Sequence, residues 1–379
     1  MERPRTAEEV GALLRAASRA GRTVRPVGGG TKLGWGRPVP PPDLELSTLG
    51  LASVVEHNAA DLTAVVEAGV RLGELQRLLG EAGQMLALDP PLGPGEGATV
   101  GGVVATGDSG PLRHRYGAPR DLVLGVTVAL SDGTVARSGG KVIKNVAGYD
   151  LPKLIAGSFG TLGVICRVAV RLHPRPPAHA TLVARAADPA LLQRAAMALS
   201  HAPLELECLD LAWGGGEGRV LARFGGAAAL ARARAARALV PEADPEVVED
   251  DDATWEAQRA GQRSSEGTVV RVSCLQTDLA RVLAAAAGAG ASAVGRAAAG
   301  TLWLTLPPAG VEEAVGQVEE LRRSLAPLRC VVLDAPAAVR EKVDVWGEED
   351  PGLLALMRRV KARFDPTGTL NPGLFVEGR

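Results

Sequence analysis

Arg25-Pro26-Val27-Gly28-Gly29-Gly30-Thr31-Lys32-Leu33-Gly34 is a short strand-like stretch ending in consecutive glycines, followed by a hydroxyl and a cation. Glycine admits positive φ and lets main-chain N–H groups approach a ligand closely. Successive amides turned inward form a nest for an anion, and a diphosphate is the natural guest. A Walker A loop would need Gly-Lys-Ser/Thr, and the order here is Thr31-Lys32-Leu33. A Rossmann fingerprint would need its third glycine where Leu33 stands. Taken alone, the stretch also fits a glycine-rich surface turn.

A second segment, residues 98–110, is built almost wholly of small residues and carries Thr99, Gly101, Gly102, Thr106, Ser109 and Gly110. Such a surface lets a flat ligand or a second backbone lie against the chain. It equally fits a tightly packed strand pair. A third region runs from Lys141 and Lys144-Asn145 through Tyr149-Asp150-Leu151 to Gly157-Ser158-Phe159-Gly160-Thr161-Leu162-Gly163-Val164-Ile165. Its second half is another glycine–hydroxyl loop entering a strand.

The elements around these segments are readable from periodicity. Apolar residues at helical spacing predict a helix over 8–20 with Thr6 as its N-cap, ended by Gly21. Strands are expected at 24–27, 44–46, 54–55 and 63–67, and a helix at 72–82. Ser131-Asp132-Gly133 reads as the turn of a hairpin between 122–130 and 134–136. A short helix at 151–155 and a strong strand at 164–172 follow. The prolines of 173–177 mark a linker. Beyond it, strands and helices alternate as expected of an α+β domain with helices on one face of an antiparallel sheet. Glu249–Asp252 reads as a solvated loop or helix start. A helix over 350–364 and a turn at Asn371-Pro372-Gly373 close the chain.

The 379 residues provide for two or three domains. A formal net charge of −1 gives no overall field for nucleic acid or an anionic membrane. Cys166, Cys208, Cys274 and Cys330 lack metal-cluster spacing and read as buried reduced thiols, and no metal site is expected. The start has no apolar core of a secretory signal, and no run reaches the ~20 apolar residues of a spanning helix. A cytoplasmic location is expected, with room for peripheral attachment at the inner face of the membrane through a partner.

Together, the glycine loop at 28–36, the 144–151 run and the 157–165 loop resemble the vanillyl-alcohol-oxidase, or p-cresol-methylhydroxylase (PCMH), type of FAD-binding family. They are similar above all to the FAD-binding E subunits of bacterial glycolate oxidases. The likeness covers residues 1–176 and the Asn371-Pro372-Gly373 tail. It implies an α+β fold: a two-part PCMH-type FAD-binding domain (1–176), an α+β cap with an antiparallel sheet (177–340), and a C-terminal segment (341–379) returning to the FAD domain. It implies FAD held by Gly28, Gly29, Gly30, Thr31, Lys32 and Leu33 at the diphosphate. Thr99, Gly101, Gly102, Thr106, Ser109 and Gly110 would run along the diphosphate and ring, with Gly163 and Ile165 beside the adenosine or flavin. Asn371 would close the site. With neither His nor Cys in 28–36, covalent attachment at that loop is not expected.

Related 2-hydroxy acid dehydrogenases carry a histidine-rich metal and substrate motif in the middle domain, and a glutamate where Phe159 stands. This chain has no histidine after His201. The resemblance therefore implies an FAD-binding subunit of a glycolate (2-hydroxy acid) oxidase complex, with a catalytic FAD subunit and an iron–sulfur subunit as partners. A self-sufficient dehydrogenase would use Arg113 to clamp the substrate carboxylate and His114 or Tyr149 as base. A non-redox scaffold is the third reading.

Overall fold

The computed structural model describes residues 1–141, 149–347 and 349–375. The expected motif residues Lys144 and Asn145 lie outside the described residues. The chain forms two units. The first comprises Met1–Ser109, Gly117–Arg175 and Glu349–Arg379, and the second Gly110–Tyr116 and Pro176–Glu348. The short run Gly110–Tyr116, which lies within the first stretch of sequence, thus packs with the second unit.

In the first unit, α1 (Ala7–Arg19) begins where Thr6 accepts a hydrogen bond from Glu9 N at 3.1 Å. Val10, Leu14 and Ala17 form its buried face. Gly21, at φ 65°, ends it as a Schellman turn, with Arg22 N donating to Ala17 O at 2.9 Å. Strands β1 (Val24–Val27) and β2 (Leu44–Ser47) pair in parallel. The five-stranded sheet comprises β3 (Val54–Asn58), β4 (Thr63–Glu67), β6 (Val123–Ala129), β7 (Val135–Gly139) and β8 (Val164–Arg171). Its order is β3-β4-β8-β6-β7 with antiparallel neighbours. A small ribbon pairs β5 (Gln84–Met85) with β9 (His173–Pro174). Helix α2 (Leu72–Glu81) buries Leu72, Leu75 and Leu79.

The small-residue segment is not a strand pair. It forms α3 (Val100–Thr106), capped by Thr99, whose side chain accepts from Gly102 N. Tertiary packing overrides weak helix formers here: a Cβ on Gly101 would sit 2.5 Å from Ala68 Cβ.

The tail returns to this unit. Val24 N donates to Thr369 O at 2.7 Å, and Asn371 N donates to Val24 O at 3.0 Å. Leu370 thereby extends the β1–β2 pair and joins a core with Leu14, Val24, Leu46, Val164 and Cys166.

The second unit is an antiparallel sheet of eight strands: β10 (His179–Ala186), β11 (Leu206–Gly214), β12 (Glu217–Gly225), β13 (Pro245–Val248), β14 (Thr268–Ser273), β15 (Ser292–Arg296), β16 (Thr301–Leu306) and β17 (Arg329–Asp334). Their order is β13-β10-β12-β11-β15-β16-β14-β17. Each half follows the β-α-β-β-α-β path of a split βαβ motif. The halves meet at β11–β15, where Asp210 faces Arg296 across the seam in a buried ion pair of 2.7 Å. Arg296 also lies over the Trp303 ring, 4.9 Å from its centroid. Burial pushes the Asp210 carboxyl up to about 6, against the pull of Arg296. The sequence shows this repeat only as a rhythm of elements. In the acidic run 249–252 a helix starts at Asp252, as expected, and Glu249, Asp250 and Asp252 are exposed; Asp251 alone of the four is buried. Asp251 is buried because Arg223 and Thr181 satisfy its carboxylate, at 2.7 and 2.6 Å.

No helix among the described residues is long and apolar enough to cross a membrane. The four cysteines are free thiols; Cys166, Cys208 and Cys330 are buried and Cys274 half-buried.

Because Leu370 is fully buried in the core of the first unit, Leu370→Ala should destabilise the protein by about 2–5 kcal/mol. Leu353→Ala, at a 42% exposed position, should stay within about 0.5 kcal/mol. Urea titration followed by circular dichroism distinguishes them, and equal midpoints would show that the tail is not part of the core.

Candidate functional site

The glycine loop is fixed by what lies beneath it. A Cβ on Gly28 would stand 2.3 Å from Thr99 Oγ1, and one on Gly29 only 1.5 Å from Gly97 O. Gly30 has φ 74°. The loop therefore sits flush against residues 97–99, which only glycine permits. Its amides remain available: Gly28 N, Gly29 N and Gly30 N meet no acceptor among the described residues. A row of such amides, partly open to solvent, is the cradle an anionic diphosphate requires.

Lys32 was expected as a cation for the diphosphate. Its ammonium lies 3.2 Å from Asp108 Oδ2 in a buried ion pair, and 5.7 Å from the centre of the Trp35 ring. It ties the loop to the chain just beyond α3. Asp108 also accepts from Ser109 N at 3.0 Å. Leu33 is 46% exposed.

Several of the expected hydroxyls are already engaged. Thr99 Oγ1 accepts from Gly102 N at 3.2 Å, and Thr106 Oγ1 donates to Gly102 O at 2.9 Å. Their geometry fixes α3; the Thr106 proton is spent on the helix itself. Ser109 is buried, while Gly110 belongs to the second unit.

The 157–163 loop is held from two sides. Gly157 N and Phe159 N donate to Val104 O and Ala105 O of α3 at 2.9 and 2.8 Å. From the tail, Asn371 Nδ2 donates to Phe159 O at 2.8 Å. Lys361 Nζ donates to Thr161 O, Leu370 O and Asp365 Oδ2 at 2.7, 2.8 and 2.5 Å. Burial holds the Lys361 ammonium below its ordinary pKa, while Asp365 opposes that shift. Asn371 thus closes onto the loop's backbone, and Lys361, which the sequence did not single out, joins loop, tail and helix Pro351–Phe364 at one charge.

Beside this loop is a mainly apolar cavity of about 280 Å³, lined by Leu162, Leu354, Met357 and Phe375, with Ser158 and Lys361. The Ser158 hydroxyl is buried and has no hydrogen-bond partner among the described residues. Phe159, at φ 54°, lies 5.5 Å from the Phe375 ring. Gly163 packs so closely on β6 that a Cβ would stand 2.3 Å from Val128, and Ile165 is buried in β8.

The candidate catalytic residues do not share one unit. Tyr149 is in the first and is 92% exposed. Arg113 and His114 lie on α4 (Arg113–Tyr116), in the second. Burial, reinforced by Arg115, holds the His114 imidazole below 6.5, so it is neutral near pH 7. Next to them, Tyr116 Oη donates to Glu207 Oε1 at 2.9 Å, and His179 Nε2 lies 3.0 Å from Glu207 Oε2. Burial works against the Glu207 charge, yet the bonds from His179 and Tyr116, with Arg223 nearby, hold its carboxyl below the usual range. Burial and Glu207 raise the Tyr116 phenol. Sequence reasoning missed Tyr116 and Glu207, which no motif connects.

A family model described as an FAD binding domain matches residues 2–139, and one for the C-terminal domain of FAD linked oxidases matches residues 340–374. The chain is 32% identical over 422 residues to an uncharacterized FAD-linked oxidoreductase of Mycobacterium tuberculosis, across 98% of this chain and 89% of the relative. It is 40% identical over 155 residues to the glycolate oxidase subunit GlcE of Escherichia coli, across 41% of this chain and 43% of that subunit. Among solved structures, alkyldihydroxyacetonephosphate synthase matches with a TM-score of 0.73 at 18% identity, covering 98% of this chain and 75% of that one. That last likeness is one of fold.

Since a Cβ at Gly29 would overlap Gly97 O, Gly29→Ala must lift the loop. FAD affinity should fall about tenfold to hundredfold, the effect expected of a 1–3 kcal/mol steric displacement. Gly316→Ala, where a Cβ meets nothing, should leave it unchanged. Calorimetric titration with FAD measures both, and equal affinities would remove the loop from the cofactor site.

Proposed function

Because the chain belongs to the FAD-linked oxidoreductases and uses FAD as cofactor, we propose that it is the FAD-binding subunit of a 2-hydroxy acid oxidase complex, with glycolate as the expected substrate. A catalytic flavoprotein and an iron–sulfur subunit are its partners in this reading. The observation that carries it is the row of unspent amides at Gly28–Gly30, in a stretch matched by the FAD binding domain model. The likeness to the E. coli glycolate oxidase subunit supports the choice of complex.

Bound FAD supplies two-electron redox chemistry; the protein supplies orientation and electrostatics. Gly28, Gly29, Gly30 and Thr31 hold the diphosphate through the main chain. Lys32 and Asp108 neutralise each other and fix the loop's far end. Leu33, Thr99, Gly101, Gly102, Thr106, Ser109 and Gly110 complete the cofactor's surroundings in this reading, with Gly163 and Ile165 beside the adenosine or flavin. Asn371 acts by holding Phe159 O, and Ser158 offers its hydroxyl to a polar edge of the cofactor. The attachment is non-covalent.

A second reading, a self-sufficient dehydrogenase, is favoured by one observation: His114 is held neutral beside Arg113. Arg113 then clamps the substrate carboxylate, and His114 takes the hydroxyl proton, with Tyr149 as the alternative base. The FAD-loaded chain alone, given glycolate or D-lactate and an artificial electron acceptor, separates the readings. The subunit reading expects no turnover until the partners are added; vigorous turnover alone overturns it. In that event the rate should fall as pH drops through a value below 6.5, because protonation removes the base. His114→Ala should then cost ~10²–10⁴-fold, and an unchanged rate would exclude His114.

A further inference from the structure

Strand β11 carries a bulge between Leu206 and Cys208, where the register against β12 shifts. The residue set free is Glu207. A bulge re-aims a side chain that regular pleating would send elsewhere. The carboxylate enters a gap that exists only because residue 225 lacks a side chain: a Cβ on Gly225 would stand 2.6–2.8 Å from the Glu207 carboxyl atoms. Gly225 is the cross-strand partner of His179. In that gap Glu207 is 2% exposed, with Tyr116 Oη on one oxygen and His179 Nε2 beside the other.

The three residues come from different parts of the chain. Tyr116 ends α4 and precedes Gly117, where the chain passes into the first unit; His179 opens β10, shortly after the passage at Arg175–Pro176. Other charged or titratable neighbours among the described residues include Arg115, on the same turn as Tyr116, Cys208 of β11, and Arg223 of β12, which is itself paired with Asp251. Leu112, just before α4, packs on the cluster of Val183, Cys208, Leu221 and Trp255. Leu112 ahead of the turn and the Tyr116–Glu207 hydrogen bond at its end thus both tie it to the sheet, with Arg113 and His114 between.

We infer that Glu207 and Tyr116 are positioning residues: the bulged carboxylate anchors Tyr116 and thereby fixes the turn that presents Arg113 and His114, while His179 orients the carboxylate. This rests on the reading of Arg113 and His114 as substrate residues. The anchor itself concerns only the second unit's own contacts.

Two readouts separate the anchor from that reading. In the FAD-loaded chain, Tyr116→Phe removes the hydrogen bond while keeping the ring. Amide hydrogen exchange at residues 112–116 should rise about tenfold to hundredfold, the protection conferred by a hydrogen bond to a charged group. Glu207→Gln, which keeps an acceptor for Tyr116, should restore most of the protection that Glu207→Ala loses. Oxalate, a two-carbon dicarboxylate probe for the 2-hydroxy acid site, is titrated by calorimetry. Its dissociation constant should rise about tenfold in Tyr116→Phe if one charge-assisted bond is lost. Unchanged exchange at 112–116 overturns the anchor. Raised exchange with wild-type oxalate affinity overturns the positioning role. Failure of the wild-type chain to bind oxalate overturns instead the assignment of Arg113 and His114 to substrate, and the exchange data still decide the anchor.

Discussion

The structure depends on one contact that a side chain on the loop would forbid: the backbone of Gly28 and Gly29 lying directly on Thr99 Oγ1 and Gly97 O. Any Cβ there would overlap a carbonyl or hydroxyl oxygen. The contact fixes the direction of the loop and leaves its amides unspent. An amide row without acceptors is costly to bury and favourable beside an anion. It therefore has a chemical consequence that a surface turn would lack.

Around that contact the first unit is assembled as a set of braces. Lys32 and Asp108 join the glycine loop to the end of α3. Gly157 and Phe159 donate to the last turn of α3. Lys361 and Asn371 bring the tail onto the same loop through two of its main-chain carbonyls, those of Thr161 and Phe159, while Lys361 also holds Leu370 O within the tail. The C-terminal segment, far away in sequence, thus acts as a strap over the 157–163 loop. Its half-buried ammonium is tolerated because every donor bond has an oxygen and one of them is a carboxylate.

Much of this was legible in the sequence, wherever one physical signal dominated. Thr6 as cap, Gly21 as terminator and the apolar face of α1 reproduce a helix at the expected place because cap, period and stop agree. The strand Thr63–Glu67 and the Asp132-Gly133 hairpin followed for similar reasons. Legibility ended where tertiary contacts decide. Gly, Val and Thr are weak helix formers, so α3 exists through its Thr99 cap and its packing on Ala68. Strand β15 lies in an alanine- and glycine-rich tract and is defined by its neighbours on either side. Asp251 looked solvated because its partners, Arg223 and Thr181, are distant in sequence. Of the site, the glycine motifs could be read directly. Lys361 resembles any charge on an amphipathic helix, and Glu207 is aimed by a bulge that no residue pattern announces.

The central claim is that the amides of Gly28, Gly29 and Gly30 hold the diphosphate of FAD. A crystal structure of the chain grown with FAD tests it most directly. The account predicts phosphate oxygens within about 2.7–3.2 Å of those nitrogens, the range of an N–H···O hydrogen bond. Density for the nucleotide elsewhere, with the three amides facing bulk water, would contradict it.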